Sequence, residues 1–581
     1  MLKIKENERL ALLNHSCAHL LAQAVSHLYP GAKFWVGPVI DEGFYYDMDL
    51  GERVIKEEDL SAIEKEMKKI AKDGKRIIRH EISKDEALNM FKDDPYKLDL
   101  INQMGDDANI SCYTQGDFTD LCRGPHVESV KELKYFKLLK VSGAYWKNDA
   151  HNKMLQRVYG ICFDTKEELD EHLYKLEEAK KSDHRKLGKE LGIFTLSEYA
   201  PGCPIFLPNG MILRNILENF WYEEHTNEGY QFVKTPIMMS RELWETSGHW
   251  DHYQNNMYTT LVDDHEYAIK PMNCPGSLVV YKSSLHSYRD LPLRMGELGL
   301  VHRNEASGAL SGLFRVRSFT QDDAHIFLRE DQTEEEVIRL INFIDRFYKI
   351  FHLDYTIELS TRPEKDYIGS LETWDRAEKA LADACHHAGK ELKINPGDGA
   401  IYGPKLDFHI FDNLGREWQC ATIQLDMNLP ERFDINYIDE NGEKKRPLML
   451  HRVIFGSIER FMGILIERYK GVFPLWLAPE QVVIIPVHHE NHRAYANEVL
   501  ARLKEVGLRA SVDARNEKLG YRMREAQTKK VPYVLVLGDS EMQNKSVNIR
   551  RHGKKDTEIL SLEECVKKLH LEDTNKDYVE D

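Results

Sequence analysis

The chain has no run of 18 or more apolar residues, so no segment reads as a membrane-spanning helix. Its opening, MLKIKENERL, is charged where a secretory signal would be apolar, and a cytoplasmic protein is expected. Cysteines are sparse: nine, an odd number scattered without paired spacing, which excludes a disulfide framework and fits a reducing compartment. Positive charge is in deficit too, and a net charge of −17 argues against a generally nucleic-acid-binding surface. A local one remains open, because residues 515–555 hold 11 Lys or Arg against 4 Asp or Glu. The rest, 42% apolar and 30% charged over 581 residues, is a globular composition too long for one core, with about three or four domains expected.

Leu10, Leu13, Cys17, Leu20, Ala24 and Leu28 recur at steps of three and four, predicting a helix over Glu8–Leu28 with one apolar stripe. His15 and His19 stack on the opposite face, beside Ala11, Ala22 and Ser26, where small neighbours leave room for a ligand. Cys122 and His126 in DLCRGPHV repeat the spacing of four. Three histidines and a cysteine are the ligand types and number of a tetrahedral zinc site.

Over residues 293–327, charged residues interrupt β-favouring runs: Arg303 and Glu305 in the first, Arg315 and Arg317 in the second. Two strands joined by a polar loop with Gly308 and Gly312 predict a long antiparallel hairpin. An arginine fork on a rigid strand grips a carboxylate or phosphate bidentately.

Elsewhere, residues 164–187 predict a long linking helix with Thr165 and Glu168 in capping-box register, and residues 333–351 an amphipathic helix capped by Thr333 and Glu336. In IYGPKLDF, REWQCATIQLDM and HRVIFGSIERFMG, the isolated polar residues Tyr402, Lys405, Gln419, Thr422, Gln424 and Arg460 would face a cleft if the strands alternate. Separate strands and helices there predict an antiparallel sheet flanked by helices. Beyond Ala478, β and α segments alternate, predicting an open α/β domain. The fold class is thus α+β and multidomain, divided at 1–163, 164–187, 188–478 and 479–581.

The run His302-Arg303-Asn304-Glu305 resembles motif 2 of class II aminoacyl-tRNA synthetases, and FTQDDAHIF resembles the threonyl-tRNA synthetases in particular. GYQFVKTPIM resembles motif 1, which forms the dimer interface in that class, and Gly456-Ser457-Ile458-Glu459-Arg460 resembles motif 3. Residues 183–194, DHRKLGKELGIF, are similar to the entry of the catalytic domain. The HxxxH and CxxxH pairs resemble the editing domain shared with alanyl-tRNA synthetases, whose hydrolytic pocket for mischarged tRNA need not hold a metal; Tyr46 and Asp120 join it by the same resemblance. The C-terminal stretch resembles an anticodon-binding domain, implying contacts from Asn516, Glu541 and Arg550. The small ubiquitin-like domain preceding the editing domain in many relatives has no counterpart, so a short form is expected. Ser277 after CPG and Ala306 after HRNE depart slightly from the family pattern without touching a proposed ligand.

The resemblance implies ATP-dependent activation of L-threonine, transfer to tRNA(Thr) and hydrolysis of mischarged seryl-tRNA, by a homodimer. Cys274, His325 and His451 match the three zinc ligands of such active sites, an assignment no spacing rule would make. Arg303 would bind the carboxylate and α-phosphate, Arg315 the outer phosphates, and Arg460 with Phe319 would sandwich the adenine, with Glu305, Gln419, Thr422 and Ser457 also in the nucleotide site. Magnesium should accompany ATP, because a hard dication neutralises the departing pyrophosphate. Gln321, Asp323, Tyr402 and Gln424 are the expected threonine contacts, Lys405 a catalytic cation, and His249 the group assisting proton transfer from the tRNA ribose. Two rival readings, an RNA-binding paralogue without catalysis and a synthetase for serine or proline, fit poorly with the intact arginines and the Cys274, His325, His451 set.

Overall fold

The computed structural model describes residues 3–105, 110–149, 151–365, 367–412 and 415–578. The chain divides into two compact units, Met1–Glu178 and Ala179–Asp581.

In the first unit the helix Glu8–Leu28 starts where the Asn7 side chain accepts the Leu10 N–H at 3.0 Å. It packs on the helix Leu60–Asp73 and on a sheet ordered Lys33–Phe34, Gly43–Asp49, Met154–Phe163, Tyr135–Tyr145. A single apolar stripe proves too narrow a description. Asn14, Ser16, His19 and Gln23 are buried along with Leu13, Cys17 and Leu20, while Leu28 is exposed. The reason is a second layer: Gln115 donates to Gln23 at 3.0 Å and the Val127 N–H to Ser16 at 3.0 Å, so the segment around the sheet Ile77–Ile82, Ile110–Gln115, Phe118–Leu121 covers the polar face.

Thr165 and Glu168 form the expected capping box, with reciprocal backbone bonds of 3.1 and 3.2 Å. The helix they open, Lys166–Ser182, ends sooner than its pattern suggests. Asp183 accepts the Arg185 N–H at 2.8 Å and caps a separate helix, His184–Glu190.

The second unit is built on an eight-stranded sheet ordered Gln231–Phe232, Leu293–His302, Ser318–Leu328, Leu448–Val453, Glu417–Asp426, Lys405–Phe411, Tyr355–Ser360, Lys393–Asn395. The inner pairs are antiparallel and the two edge pairs parallel. Period-two alternation divides the strands between two faces. Ala324, Ile326, Leu450, Ile423 and Leu425 share one core with the helices Pro208–Asn227, Thr333–Ile350, Leu371–His387 and Ile458–Arg468. The alternate residues, among them Gln321, Asp323, His325 and His451, belong to the opposite face.

Three local expectations are corrected. The motif 1 stretch, whose apolar run from Gly229 to Pro236 reads in the sequence as one strand, keeps only two residues of strand, Gln231–Phe232. Thr333 does not cap its helix, because Gln332 holds the cap position, and Glu336 instead accepts Arg294 Nε at 2.6 Å. Arg303, Glu305, Arg315 and Arg317 lie on the loop between Leu293–His302 and Ser318–Leu328, since the paired register ends at His302 opposite Ser318.

The C-terminal sheet runs Ala510–Val512, Val482–Pro486, Tyr533–Leu537, Ser546–Arg551, Glu558–Ser561, with its first three strands parallel, and the helices Arg493–Glu505 and Leu519–Thr528 connect the parallel strands as the alternating pattern requires.

One buried ion pair holds the eight-stranded sheet to the segment before it. Lys270 and Glu297, 1% and 4% exposed, meet at 2.9 Å, and the same carboxylate accepts the Thr235 N–H at 2.8 Å. Glu297→Ala leaves a buried ammonium unpaired and should lower unfolding stability by about 3–5 kcal/mol in urea titration, whereas Lys270→Met with Glu297→Leu should recover much of it. A single variant within about 1 kcal/mol of the parent would contradict this role.

Candidate active site

Three strands and one helix start converge on the polar face of the large sheet. His325 pairs directly across from His451, which pairs with Gln424 on the next strand. Cys274 begins the helix Cys274–Lys282. One ligand atom from each of Cys274, His325 and His451 lies within 4.8 Å of the others. Asp426, fully buried, accepts His451 Nε2–H at 2.8 Å, so His451 Nδ1 keeps its lone pair. His325 Nε2 is buried with no hydrogen-bond partner. Burial lowers the His325 imidazole well below its ordinary range and raises the Cys274 thiol well above it. An orphaned imidazole nitrogen, a carboxylate-backed histidine and a thiol fit a metal ion, the carboxylate being the usual outer partner of a ligating histidine.

Around this cluster lie the other expected threonine contacts. Asn273 donates to Asp323 at 3.0 Å, and Gln321 Oε1 and Gln424 Nε2 are buried without partners. Tyr402 OH and His249 Nε2 are hydrogen-bonded, and His249 Nδ1 lies 2.7 Å from Ser247 Oγ. Burial lowers the His249 imidazole to about 4, so it is neutral at physiological pH with both nitrogens engaged.

Beside it is a cavity of about 380 Å³ lined by Arg303, Arg315, Phe319, Gln419, Thr422 and Arg460, with Glu305, Gln321 and Ser457 also on its wall. Arg460 donates from Nε to Phe314 O at 3.0 Å and from Nη1 to Gln419 O at 2.7 Å, which fixes its guanidinium. The Ser457 hydroxyl accepts the Arg460 N–H at 3.1 Å and caps the helix Ile458–Arg468. Arg303 donates to Pro271 O at 3.1 Å and lies 5.2 Å from the Phe319 ring centre, while Arg315 pairs with Glu305 at 2.8 Å.

Plain alternation would send Gln419 and Thr422 to opposite faces. His409 pairs with Gln419 but Asp407 with Thr422, so Glu417–Asp426 carries an extra residue, a β-bulge that turns both side chains toward Asp407. Asp407, 1% exposed, accepts Gln419 at 2.5 Å, Thr422 at 2.9 Å, Ser360 at 2.9 Å and Lys405 at 2.6 Å. Sequence reasoning missed it, although a lone acid among Leu406, Phe408 and Ile410 was a signal.

In the first unit, His15, His19, Cys122 and His126 also place ligand atoms within 4.8 Å of one another. Their partners fix the tautomers. His15 Nδ1 donates to Pro125 O at 3.2 Å; Ser16 Oγ, whose own hydrogen goes to Leu12 O, receives His126 Nδ1–H at 3.1 Å; and His19 Nδ1 meets Asp120 at 3.1 Å. All three Nε2 atoms therefore carry lone pairs, and those of His15 and His126 each approach Cys122 Sγ at 3.2 Å. Burial lowers His19 to about 4, and burial with the neighbouring histidines lowers His126 to about 2. Burial raises the Cys122 thiol to about 11, so it is no thiolate nucleophile near pH 7.

Behind them lies a buried charge hub that sequence reasoning only half found. Asp120 accepts Tyr46 OH and takes Lys97 Nζ at 2.6 Å. Burial alone would raise its carboxyl, but Lys97 and His19 outweigh that and hold it below its ordinary value. Lys97, 2% exposed on the short helix Pro95–Asn102, has no spacing signal in the sequence.

Of the expected anticodon contacts, Asn516 lies on the exposed loop after Ala510–Val512. Glu541 accepts the Gly538 N–H at 2.9 Å, and Arg550, on Ser546–Arg551, donates to Lys554 O at 2.9 Å.

Known proteins carry the same parts. Residues 258–469 match the tRNA synthetase class II core domain (G, H, P, S and T), residues 481–571 an anticodon binding domain, and residues 110–159 the threonyl and alanyl tRNA synthetase second additional domain. A threonine–tRNA ligase of Desulforamulus reducens is 54% identical over 99% of this chain and 91% of its own. One from Fusobacterium nucleatum is 57% identical over 94% of this chain and 88% of its own. The chain belongs to the threonine–tRNA ligase family. The solved RNA binding domain of threonyl-tRNA synthetase from Cryptosporidium parvum Iowa II is also similar, at 39% identity and TM-score 0.64, covering 67% of this chain and 97% of that one.

As a threonine–tRNA ligase the enzyme takes threonine, ATP and tRNA as substrates, with Mg²⁺ implied by its use of ATP. Adenylate formation builds negative charge at phosphorus, and fixed cations stabilise it without reorganising. Asp407 aligns Lys405, Gln419 and Thr422 along the cavity side of the sheet. Asp407→Asn replaces one acceptor oxygen by an amide donor that faces two of the four donors, and threonine-dependent ATP–pyrophosphate exchange should fall at least about tenfold, a cost of ~1.4 kcal/mol in transition-state stabilisation. Exchange within about twofold of the parent would remove Asp407 from this role.

Proposed function

We propose that Cys274, His325 and His451 hold one zinc ion that distinguishes threonine from valine. The observation that carries this reading is the buried His325 Nε2, without a partner and gathered with Cys274 and a carboxylate-backed His451. Threonine and valine are near-isosteres, and an apolar pocket separates a hydroxyl from a methyl by only about 10²-fold. A zinc with three protein ligands would keep an open position and, by expanding to five-coordinate, could take both a substrate hydroxyl and an amine. Gln321, Asp323, Tyr402 and Gln424 orient the amino group and the side chain. Arg303 binds the carboxylate and α-phosphate, Arg315 the outer phosphates, and Phe319 and Arg460 enclose the adenine beside Glu305, Gln419, Thr422 and Ser457. His249 assists transfer to the tRNA ribose.

Serine keeps the hydroxyl and the amine and lacks one methyl, worth about 1–3 kcal/mol, so a second check is needed. The first unit supplies it in this reading: His15, His19, Cys122 and His126, with Tyr46 and Asp120, hydrolyse seryl-tRNA(Thr). Neutral imidazoles with inward lone pairs can accept hydrogen bonds from a water and orient it for attack. Residues 1–163 form the editing domain, 164–187 the linker, 188–478 the catalytic domain, and 479–581 the anticodon-binding domain, where Asn516, Glu541 and Arg550 meet anticodon bases. The enzyme acts in the cytoplasm as a homodimer joined through the motif 1 region.

Metal analysis of active enzyme should find about one zinc per chain, and Cys274→Ser should weaken threonine activation more than ATP binding. Zinc-free enzyme with full activity would sink this assignment. His15→Ala with His19→Ala should leave threonine charging close to normal while seryl-tRNA(Thr) accumulates. If the double variant clears added seryl-tRNA as fast as the parent, the editing assignment is wrong.

A further inference from the structure

A further histidine lies behind the nucleotide cavity. His184 opens the helix His184–Glu190 and is 2% exposed. Its Nδ1 lies 2.8 Å from Glu467 Oε1, and its Nε2 lies 3.0 Å from the Leu313 peptide nitrogen. A peptide N–H can only donate, so Nε2 is the acceptor and Nδ1 carries the hydrogen given to Glu467. Asp183, His184 and Glu467 gather three potential metal ligands. With both ring nitrogens of His184 spent on protein partners, the cluster is a brace rather than a metal site.

What it braces is the loop between Leu293–His302 and Ser318–Leu328. Gly312 has a φ of +52°, and a Cβ there would stand 2.1 Å from His184 Nε2, so the loop backbone is seated directly on the imidazole. The next residues reach the cavity. The Phe314 ring is 4.2 Å from the His184 ring and 4.3 Å from that of Trp418, and Phe314 O accepts Arg460 Nε at 3.0 Å.

We propose that His184, backed by Glu467, is a positioning residue that seats the loop around Leu313 and, through Phe314, fixes Arg460 for the nucleotide. The inference rests on the reading of the adjoining cavity as the ATP site. It assigns to the DHRK segment after the linker helix a task in activation rather than in connection alone.

The test is steady-state ATP–pyrophosphate exchange on the full-length enzyme, varying ATP and threonine separately. His184→Ala should raise KM for ATP about tenfold, equivalent to ~1.4 kcal/mol, with KM for threonine within about twofold. His184→Gln, which keeps an acceptor at the far end of the side chain, should restore part of the loss. A general loosening of the fold would raise both KM values together, and that result, or an unchanged KM for ATP, overturns the proposal. Should His184→Ala fail to fold, Glu467→Leu decides on the same readout: a selective rise of about threefold supports the proposal, and no selective rise overturns it. Arg460→Ala separates the two layers. If it raises KM for ATP and the His184 and Glu467 variants do not, only the positioning role fails; if it leaves KM for ATP unchanged, the reading of the cavity fails first.

Discussion

The register of the antiparallel pairing between Ser318–Leu328, Leu448–Val453 and Glu417–Asp426 is the constraint on which the catalytic half depends. It sets His325 opposite His451, and His451 opposite Gln424. Because side chains alternate with a period of two, a slip of one residue would carry this entire set into the helix-covered core and expose Ala324, Ile326 and Leu450 instead. Burial of that apolar face therefore specifies the polar face. Asp322 and Arg452 show how fully the register is committed: each is next to a site residue, yet both lie on the core side, fully buried. There Asp322 accepts the Ile454 and Phe455 N–H groups at 2.8 and 3.0 Å.

The two histidine clusters follow one electrostatic rule. In each, a buried carboxylate takes the hydrogen of one imidazole nitrogen and leaves the other lone pair facing inward: Asp426 for His451, Asp120 for His19. Burial costs a bare carboxylate much, and it is tolerated where cations or peptide donors offset it. Lys97 does this for Asp120, and the Asn428 and Leu429 N–H groups do it for Asp426 at 2.8 and 3.0 Å. The surroundings then separate the two. Cys274 stands at a helix start near Asp323 and Asp426, whereas Cys122 sits between two imidazoles.

Much of this was legible in the residues. The periodicity of Glu8–Leu28, the capping box at Thr165 and the alternating β and α segments after Ala478 follow from local chemistry, and the structure has all three. The fold class followed from the same patterns. Other features depend on long-range packing and leave no local trace. A bulge opposite Asp407 cannot be read from alternation, and it decides where Gln419 and Thr422 point. Lys97 reaches Asp120 only because a short helix lies against that sheet. Glu336 looked like a capping residue because the i to i+3 spacing was right, but the half-buried Arg294 on the strand Leu293–His302 was the stronger partner. The gathering of Cys274, His325 and His451 rests on strand order, and only the family resemblance pointed to it from the sequence.

The central claim, that a hydroxyl-reading site on the polar face of the sheet selects the amino acid, is tested most directly by ATP–pyrophosphate exchange with threonine, serine and valine in parallel. The account predicts strong exchange with threonine, exchange with serine weaker by about 10–200-fold in kcat/KM, and valine weaker than serine. Valine activated as well as serine would contradict it, because selection would then follow side-chain size instead of the hydroxyl.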